Sequence, residues 1–567
     1  MSLSLLALIA LIPIATALVL MVFLRLPSTT AMPLSWAAGC LAAVLVWRMP
    51  PGYVLALSLQ GLVNALAILV IIFGAILILH TQQRSGGMET MQCGLRRISP
   101  DMRVQALIIG YLFASFIEGA AGFGAPAALA APLLLSLGFP PLAAAVLCMI
   151  CNSYSVSFGG AGTPINLGLA PLQALVEKAL ADGAAAGFTD FTGFALHVGQ
   201  WASLMHGPML LLLPILVLGM VSRHYGPRRR WRDGFGAWQF CLFAAAAFGI
   251  PYFLFAWLAG PEFPSLGGGL VGLGIAAAGA KKGFCLPAEP WHFGPPECWD
   301  PAWTGSGRRR SGDFVARMSQ TRAWLPYALV AAVLVVTRMP SLGIRQWLLA
   351  QTLVLDAGFM GYPEVSATVR YLYLPGVAPF IPVALLTIVL HRMPLSQAAA
   401  AWADALRTMK KPVVAMGFAV ALVSVFQGSG IEDPLLNPNA YPSMPLAMAR
   451  SMAGIAGGAW PLLAGITGGI GTFVTGSTTV SNLLLGEFQW GTAGQLGLSR
   501  ELCLAAQTAG GAVGNMISVQ NTIAVCAVVG LSGKEGLVLR RAFRAFLAYS
   551  LGIALMTCLL MAVVRVF

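Results

Sequence analysis

Apolar runs long enough to cross a bilayer recur along this chain, and no other feature restricts its fold so severely. They cover residues 2–24, 61–80, 205–222, 238–258, 324–337, 373–390, 412–426 and 545–564. A helix needs roughly 20 such residues to span a ~30 Å hydrocarbon layer. Shorter glycine-broken segments between the runs raise the expected total to about 12 to 14 crossings. The fold class is therefore an all-α polytopic membrane protein. Composition agrees, with 58% hydrophobic and 9% charged residues, where a soluble domain carries roughly a quarter charged.

The first run, "LLALIALIPIATALVLMVFL", has no positive region ahead of it and no small-residue cleavage site, so it reads as a retained helix. Arg25 follows it, and Arg84, Arg96, Arg97 and Arg103 follow the third crossing. The positive-inside rule assigns both loops to the cytoplasm and the N-terminus to the outside. The net charge of +13, with basic runs at 228–232 and 308–310, then reflects orientation and anionic lipid, and does not call for nucleic acid. Ten cysteines are scattered through the chain. Cys148 and Cys151 have CxxC spacing but no second pair or histidine nearby, so they read as packing residues, and no metal or cofactor is expected.

Two segments depart from the apolar background. Residues 279–322 are rich in Pro, Gly and charge and read as a large cytoplasmic loop between an N-terminal half, 1–278, and a C-terminal half, 323–567. Residues 392–411 carry Leu395, Ala399, Trp402 and Leu406 at helical spacing, the pattern of an interfacial amphipathic helix. The halves also resemble each other. Gly122-Phe123-Gly124, Asn152, Gly159 and Thr163 are matched by Gly469-Ile470-Gly471, Gln507, Gly514 and Ser518, with equal offsets from the amide onward. Paired glycine-interrupted hydrophobic segments are the mark of a secondary transporter whose site lies between two repeats of broken or re-entrant helices.

Four such breaks stand out: 118–128, 152–164, 465–482 and 507–521. Irregular backbone at membrane depth persists only where protein buries it or where it lines a wet cavity. The breaks supply Gly122 and Gly124; Asn152, Ser153, Ser155 and Thr163; Thr475, Ser477, Thr478, Ser481 and Asn482; and Gln507, Thr508, Asn515 and Gln520. These amides and hydroxyls suit a small polar solute, and broken-helix N-termini suit its carboxylate. Glu118 is the clearest acid within an apolar segment. Desolvation favours its protonated form, which makes it the candidate proton-coupling residue. Glu262 reads as a structural acid in a membrane-edge turn. His197 and His206 flank the start of a span, and Arg370 reads as a loop charge.

No GxxxxGK[ST] loop is present; "GLSGKE" at 530–535 lacks its spacing and hydroxyl. HExxH and GxSxG are also missing, and the six histidines form no evident catalytic cluster. An enzyme or ATP-driven pump is therefore excluded in favour of a carrier, with an anion channel or uniporter for small monocarboxylates as the alternative.

Four stretches, 116–165, 250–273, 471–489 and 505–536, resemble in order the signature of the bacterial lactate permease family. That resemblance implies an inner-membrane symporter taking up L-lactate, often D-lactate and glycolate, with protons. It also implies kinship with ion transporters built from paired re-entrant or broken helices. By carry-over, the binding positions fall within Glu118 to Pro126, Asn152 to Thr163, Thr475 to Asn482 and Gln507 to Gln520. The chain departs from the family pattern at Asn152-Ser153-Tyr154 and at Thr478. Tyr154 adds bulk and a phenol beside the expected cavity, which bears on the preferred 2-hydroxy acid.

Overall fold

The computed structural model describes every residue except 25, 123, 184–186, 306–314, 339–341, 352, 356–358, 364, 370, 375 and 567. Arg25, Phe123, Arg370 and the basic triplet at 308–310 thus lie outside the described residues. Among the described residues, eleven helices are long and apolar enough to cross a membrane, or twelve when Pro141–Cys151 and Ser153–Ala181, bent by 44°, count as one broken span. This is the low end of the expected range. Ala125–Ser136 and Gly376–Leu390 are apolar but short; a helix of about 12 residues rises only ~18 Å. The only strands among the described residues are Leu353–Leu355 and Ala367–Val369, paired antiparallel.

The segment expected to form an amphipathic helix is the first part of one 34-residue helix, Leu395–Gly428. Its buried stripe is Ala398, Ala401, Ala405 and Met409, whereas Leu395 is 84% and Leu406 58% exposed. Small residues face the protein because they allow close helix approach, and large apolar ones face outward, where lipid tails solvate them equally well. The helix packs along Pro51–Arg84, where Gly61 meets the backbone of Ala421 so closely that no side chain would fit. The expectation for His197 and His206 also changes. Both lie well inside the 35-residue helix Phe191–Tyr225, which begins early because Asp190 caps it through the Gly193 amide.

The polar loop follows the helix Pro264–Lys281 and closes into short proline-led turns at Pro296–Cys298 and Pro301–Trp303. It is tied down at several points. Arg103 is buried and paired with Asp101, and it also donates to the carbonyls of Asp233 and Glu289. The Trp291 amide donates to Asp101, and Lys534 donates to the carbonyls of Pro301 and Thr304.

Candidate functional site

Two helical hairpins build the site, and in each a glycine makes the tip. In the first, Met102–Ala120 is followed by Ala125–Ser136. Gly122 and Gly124 have φ of 60° and 82°, a left-handed conformation that L side chains rarely adopt. Gly110 faces the side chains of Leu134 and Leu147, so the two helices run back along each other. In the second, Trp460–Thr475 ends at Gly476, with φ of 75°, and Thr478–Gln495 starts behind the Ser477 cap. Ser481 donates to the Gly468 carbonyl at 2.9 Å and Gln489 to that of Ala464 at 3.0 Å, zipping this hairpin closed. Gly469 and Gly471, which the spacing matched to the first tip, lie within the helix Trp460–Thr475. They serve close packing: Gly469 meets the Gly510 carbonyl, and Gly471 the Ser481 side chain.

Each hairpin leads through a turn to a helix that unwinds. Pro141–Cys151 passes into a tight turn at Ser153–Phe158 and then Gly159–Asn166, where Gly160, Ala161 and Gly162 have positive φ. Arg500–Gly514 passes into Asn515–Ile517 and then Val519–Val529. The element order is the same in both halves. It places Asn515, at the end of its helix, opposite Asn152, while Gln507 stays mid-helix.

Residues from all four breaks line one small cavity between these pieces. Glu118, Gly122 and Gly124 come from the first break; Val156, Gly159, Thr163 and Pro164 from the second. Gly476, Ser477, Thr478 and Thr479 come from the third, and Asn515 and Asn521 from the fourth. Glu118 is 5% exposed and accepts one hydrogen bond, from Asn152 Nδ2 to its Oε2 at 2.8 Å. Its other oxygen rests against the α-carbon of Gly159, where any side chain would collide with it.

Of the residues singled out in the sequence, Glu118, Gly122, Gly124, Thr163, Ser477, Thr478 and Asn515 reach this cavity. The others stand behind it. Ser155 donates to the carbonyl and side-chain oxygens of Asn152, which in turn holds Glu118. Ser153 bonds back to Met149 and Ile150 of its own helix. Thr475 shapes the second tip through Gly471 and Ser477. Asn482 joins the halves, donating to the Pro164 carbonyl at 2.8 Å and to Thr508 Oγ1 at 2.9 Å. Gln507 joins Ser481 to Gln489, and Gln520 lies against Gly476. Tyr154 is fully buried and bonded to Ser115, packing behind the unwound segment. Glu262 is buried in a turn whose backbone meets Gly162.

Of the lining residues not singled out individually in the sequence, Val156, Gly159, Gly476 and Thr479 fall within the ranges the family resemblance implied, and Pro164 and Asn521 lie one residue beyond them. Asn521 follows Gln520 directly, and only the start of its helix at Val519 decides which of the two faces inward. A second interior acid was missed as well. Glu487 sits mid-helix in Thr478–Gln495 and accepts from Ser443 Oγ at 2.7 Å.

Comparison with known proteins identifies the family. Residues 6–564 match the family model described as L-lactate permease. A Haemophilus influenzae relative is 30% identical over 96% of this chain and 97% of its own length. The L-lactate permease of Salmonella typhimurium is 29% identical over 98% and 95%. The glycolate permease GlcA of Escherichia coli K12 is 28% identical over 98% and 96%. Among solved structures, that of the Alcanivorax borkumensis YdaH transporter aligns with a TM-score of 0.46 at 14% identity, covering 93% of this chain and 97% of that one. The chain belongs to the L-lactate permease family, as a multi-pass membrane transporter and not an enzyme.

Proposed function

We propose that the protein imports short 2-hydroxymonocarboxylates, L-lactate together with D-lactate and glycolate, each entering with a proton carried on Glu118. The supporting observation is the charge inventory of the cavity: one carboxyl and, among the described lining residues, no arginine, lysine or histidine. A substrate carboxylate beside an ionised Glu118 would be repelled by on the order of 3 kcal/mol, taking ~5 Å and an effective dielectric of ~20. That corresponds to an affinity loss of roughly 150-fold. Substrate and proton therefore bind together.

The substrate carboxylate is assigned to the tips, where the helices Ala125–Ser136 and Thr478–Gln495 begin beside the cavity and their N-termini carry partial positive charge. Thr163, Thr478, Asn515 and Asn521 line the same cavity, and the 2-hydroxyl is assigned to them. The names of the relatives, lactate and glycolate permeases, fit an anion of this class. The proton also serves energetically. An anion entering against an inside-negative potential costs ~2.3 kcal/mol per 100 mV, and a co-transported proton removes that cost. The two halves are read as duplicated units, with the N-terminus outside.

The test is uptake of labelled L-lactate, D-lactate and glycolate into proteoliposomes under an imposed pH gradient. Accumulation should follow the gradient, and KM should rise with external pH as Glu118 loses its proton. Saturable uptake indifferent to the gradient would make the protein a uniporter, and non-saturable flux without counterflow would make it a channel.

A further inference from the structure

Behind the unwound segment Ser153–Phe158, on the side away from the cavity, lies a fully buried chain of polar groups that the transport reading leaves unused. His206, in the helix Phe191–Tyr225, places Nε2 at 2.8 Å from Ser157 Oγ and Nδ1 at 2.7 Å from Tyr549 OH in the final helix, Glu535–Val566. Ser157 in turn reaches the Thr508 carbonyl at 3.4 Å. All three side chains are 0% exposed.

The directions of these bonds follow from chemistry. A carbonyl only accepts, so the Ser157 hydroxyl proton points to Thr508. Its oxygen is then the acceptor for a proton on His206 Nε2, which leaves Nδ1 bare to accept from Tyr549. Every group is satisfied with a neutral imidazole. A second proton on the ring would displace the Tyr549 proton, and no carboxylate contacts His206 among the described residues to compensate.

We infer that His206 is a positioning residue, a clamp through which the C-terminal half fixes the cavity wall beside Glu118, and that it is not a second proton carrier. Ser157 is flanked by Val156 and followed closely by Gly159, both of which line the cavity, and Gly159 is the surface on which the Glu118 carboxyl rests. Releasing Ser157 frees that wall to shift, which weakens substrate binding while Glu118 keeps its proton chemistry. Tyr549 acts only by orienting the imidazole.

This inference rests on the cavity being the transport site, which Glu118→Gln tests separately through loss of gradient-driven accumulation. The experiment measures lactate KM, Vmax and the gradient-driven accumulation ratio in proteoliposomes for His206→Leu, His206→Gln, Tyr549→Phe and the Leu/Phe double variant. His206→Leu should raise KM about tenfold, as expected for buried partners left unpaired, with an unchanged accumulation ratio. His206→Gln donates through Nε2 and accepts through Oε1, and should return KM to within about threefold of wild type. Tyr549→Phe should add nothing to His206→Leu, because both break one chain. Loss of accumulation with exchange retained in His206→Gln would make His206 a proton carrier and overturn the inference. An unchanged KM in His206→Leu, or additive effects in the double variant, would overturn it equally. If His206→Leu does not fold, His206→Gln and Tyr549→Phe still decide between the outcomes.

Discussion

The first hairpin tip and the second share a backbone and differ in charge. One helical turn before Gly122 stands Glu118, held by Asn152; one turn before Gly476 stands Thr472, whose hydroxyl reaches Thr478 at 3.4 Å. The asparagine that ends each unwinding helix differs too. Asn152 donates to an acid, whereas Asn515 accepts from Asn521. Two halves with the same element order thus present one ionisable face and one neutral face across a single cavity. On this reading the proton is handled by the first half and the solute is sorted mainly by the second.

The division is broken most directly at those two positions. Glu118→Gln should bring gradient-driven lactate accumulation down to equilibrium while exchange of labelled for unlabelled lactate continues, because the amide keeps the shape of the cavity but cannot change charge. It should also abolish the rise of KM with pH. Thr472→Val, at the matching place, should leave accumulation intact and change uptake by no more than about threefold, since it removes one long neutral hydrogen bond. Equal losses from the two substitutions would dissolve the contrast.

Two glycines that the sequence offsets pair with each other, Gly159 and Gly514, should also fail in different ways. A methyl on Gly159 would collide with the Glu118 carboxyl, the far end of a side chain. A methyl on Gly514 would collide with the backbone of Gly469 in the second hairpin. Gly159→Ala should therefore yield folded protein with transport reduced on the order of 100-fold, the usual consequence of displacing a reacting group by about 1 Å. Gly514→Ala should destabilise the fold by about 1–3 kcal/mol through overpacking. Detergent thermal melts run beside uptake assays separate the two outcomes.

These glycines also mark how far the sequence could be read. Hydropathy and helix-breaking residues act locally, so the membrane class, the four breaks and Glu118 were all visible without coordinates. What joins the breaks is tertiary, and there the reading thinned. Gln507 was matched to Asn152 by local spacing, but Arg500–Gly514 has 15 residues where Pro141–Cys151 has 11, so Gln507 falls mid-helix and the residue that follows the helix end, as Asn152 does, is Asn515. Gly159 carried no chemical signal of its own, since its role is to leave room for a carboxylate. The Leu395–Leu406 stripe gave a helix but not its length or its neighbours, because apolarity does not distinguish a protein-facing side from a lipid-facing one in a bilayer. Glu487 was overlooked because polar neighbours in sequence lie on other faces of its helix.

The smallest expected effect concerns adjacent residues of the second half, Gln520 and Asn521, of which the sequence singled out the first. Successive residues on a helix point about 100° apart, so both cannot face the cavity from the first turn of Val519–Val529. Asn521 lines it and donates to Asn515 and, at 3.5 Å, to the Gly476 carbonyl, bracing the second tip. The Gln520 side chain lies against the α-carbon of Gly476 from outside the cavity. Asn521→Ala should therefore raise lactate KM about five- to tenfold, the loss expected from one or two neutral hydrogen bonds. Gln520→Ala should stay within about twofold. Initial-rate uptake at constant pH measures both. If Gln520→Ala proved the more damaging, the tip would present a different face to the substrate, and the assignment of solute recognition to the second half would have to be rebuilt around Gly476 and Gln520.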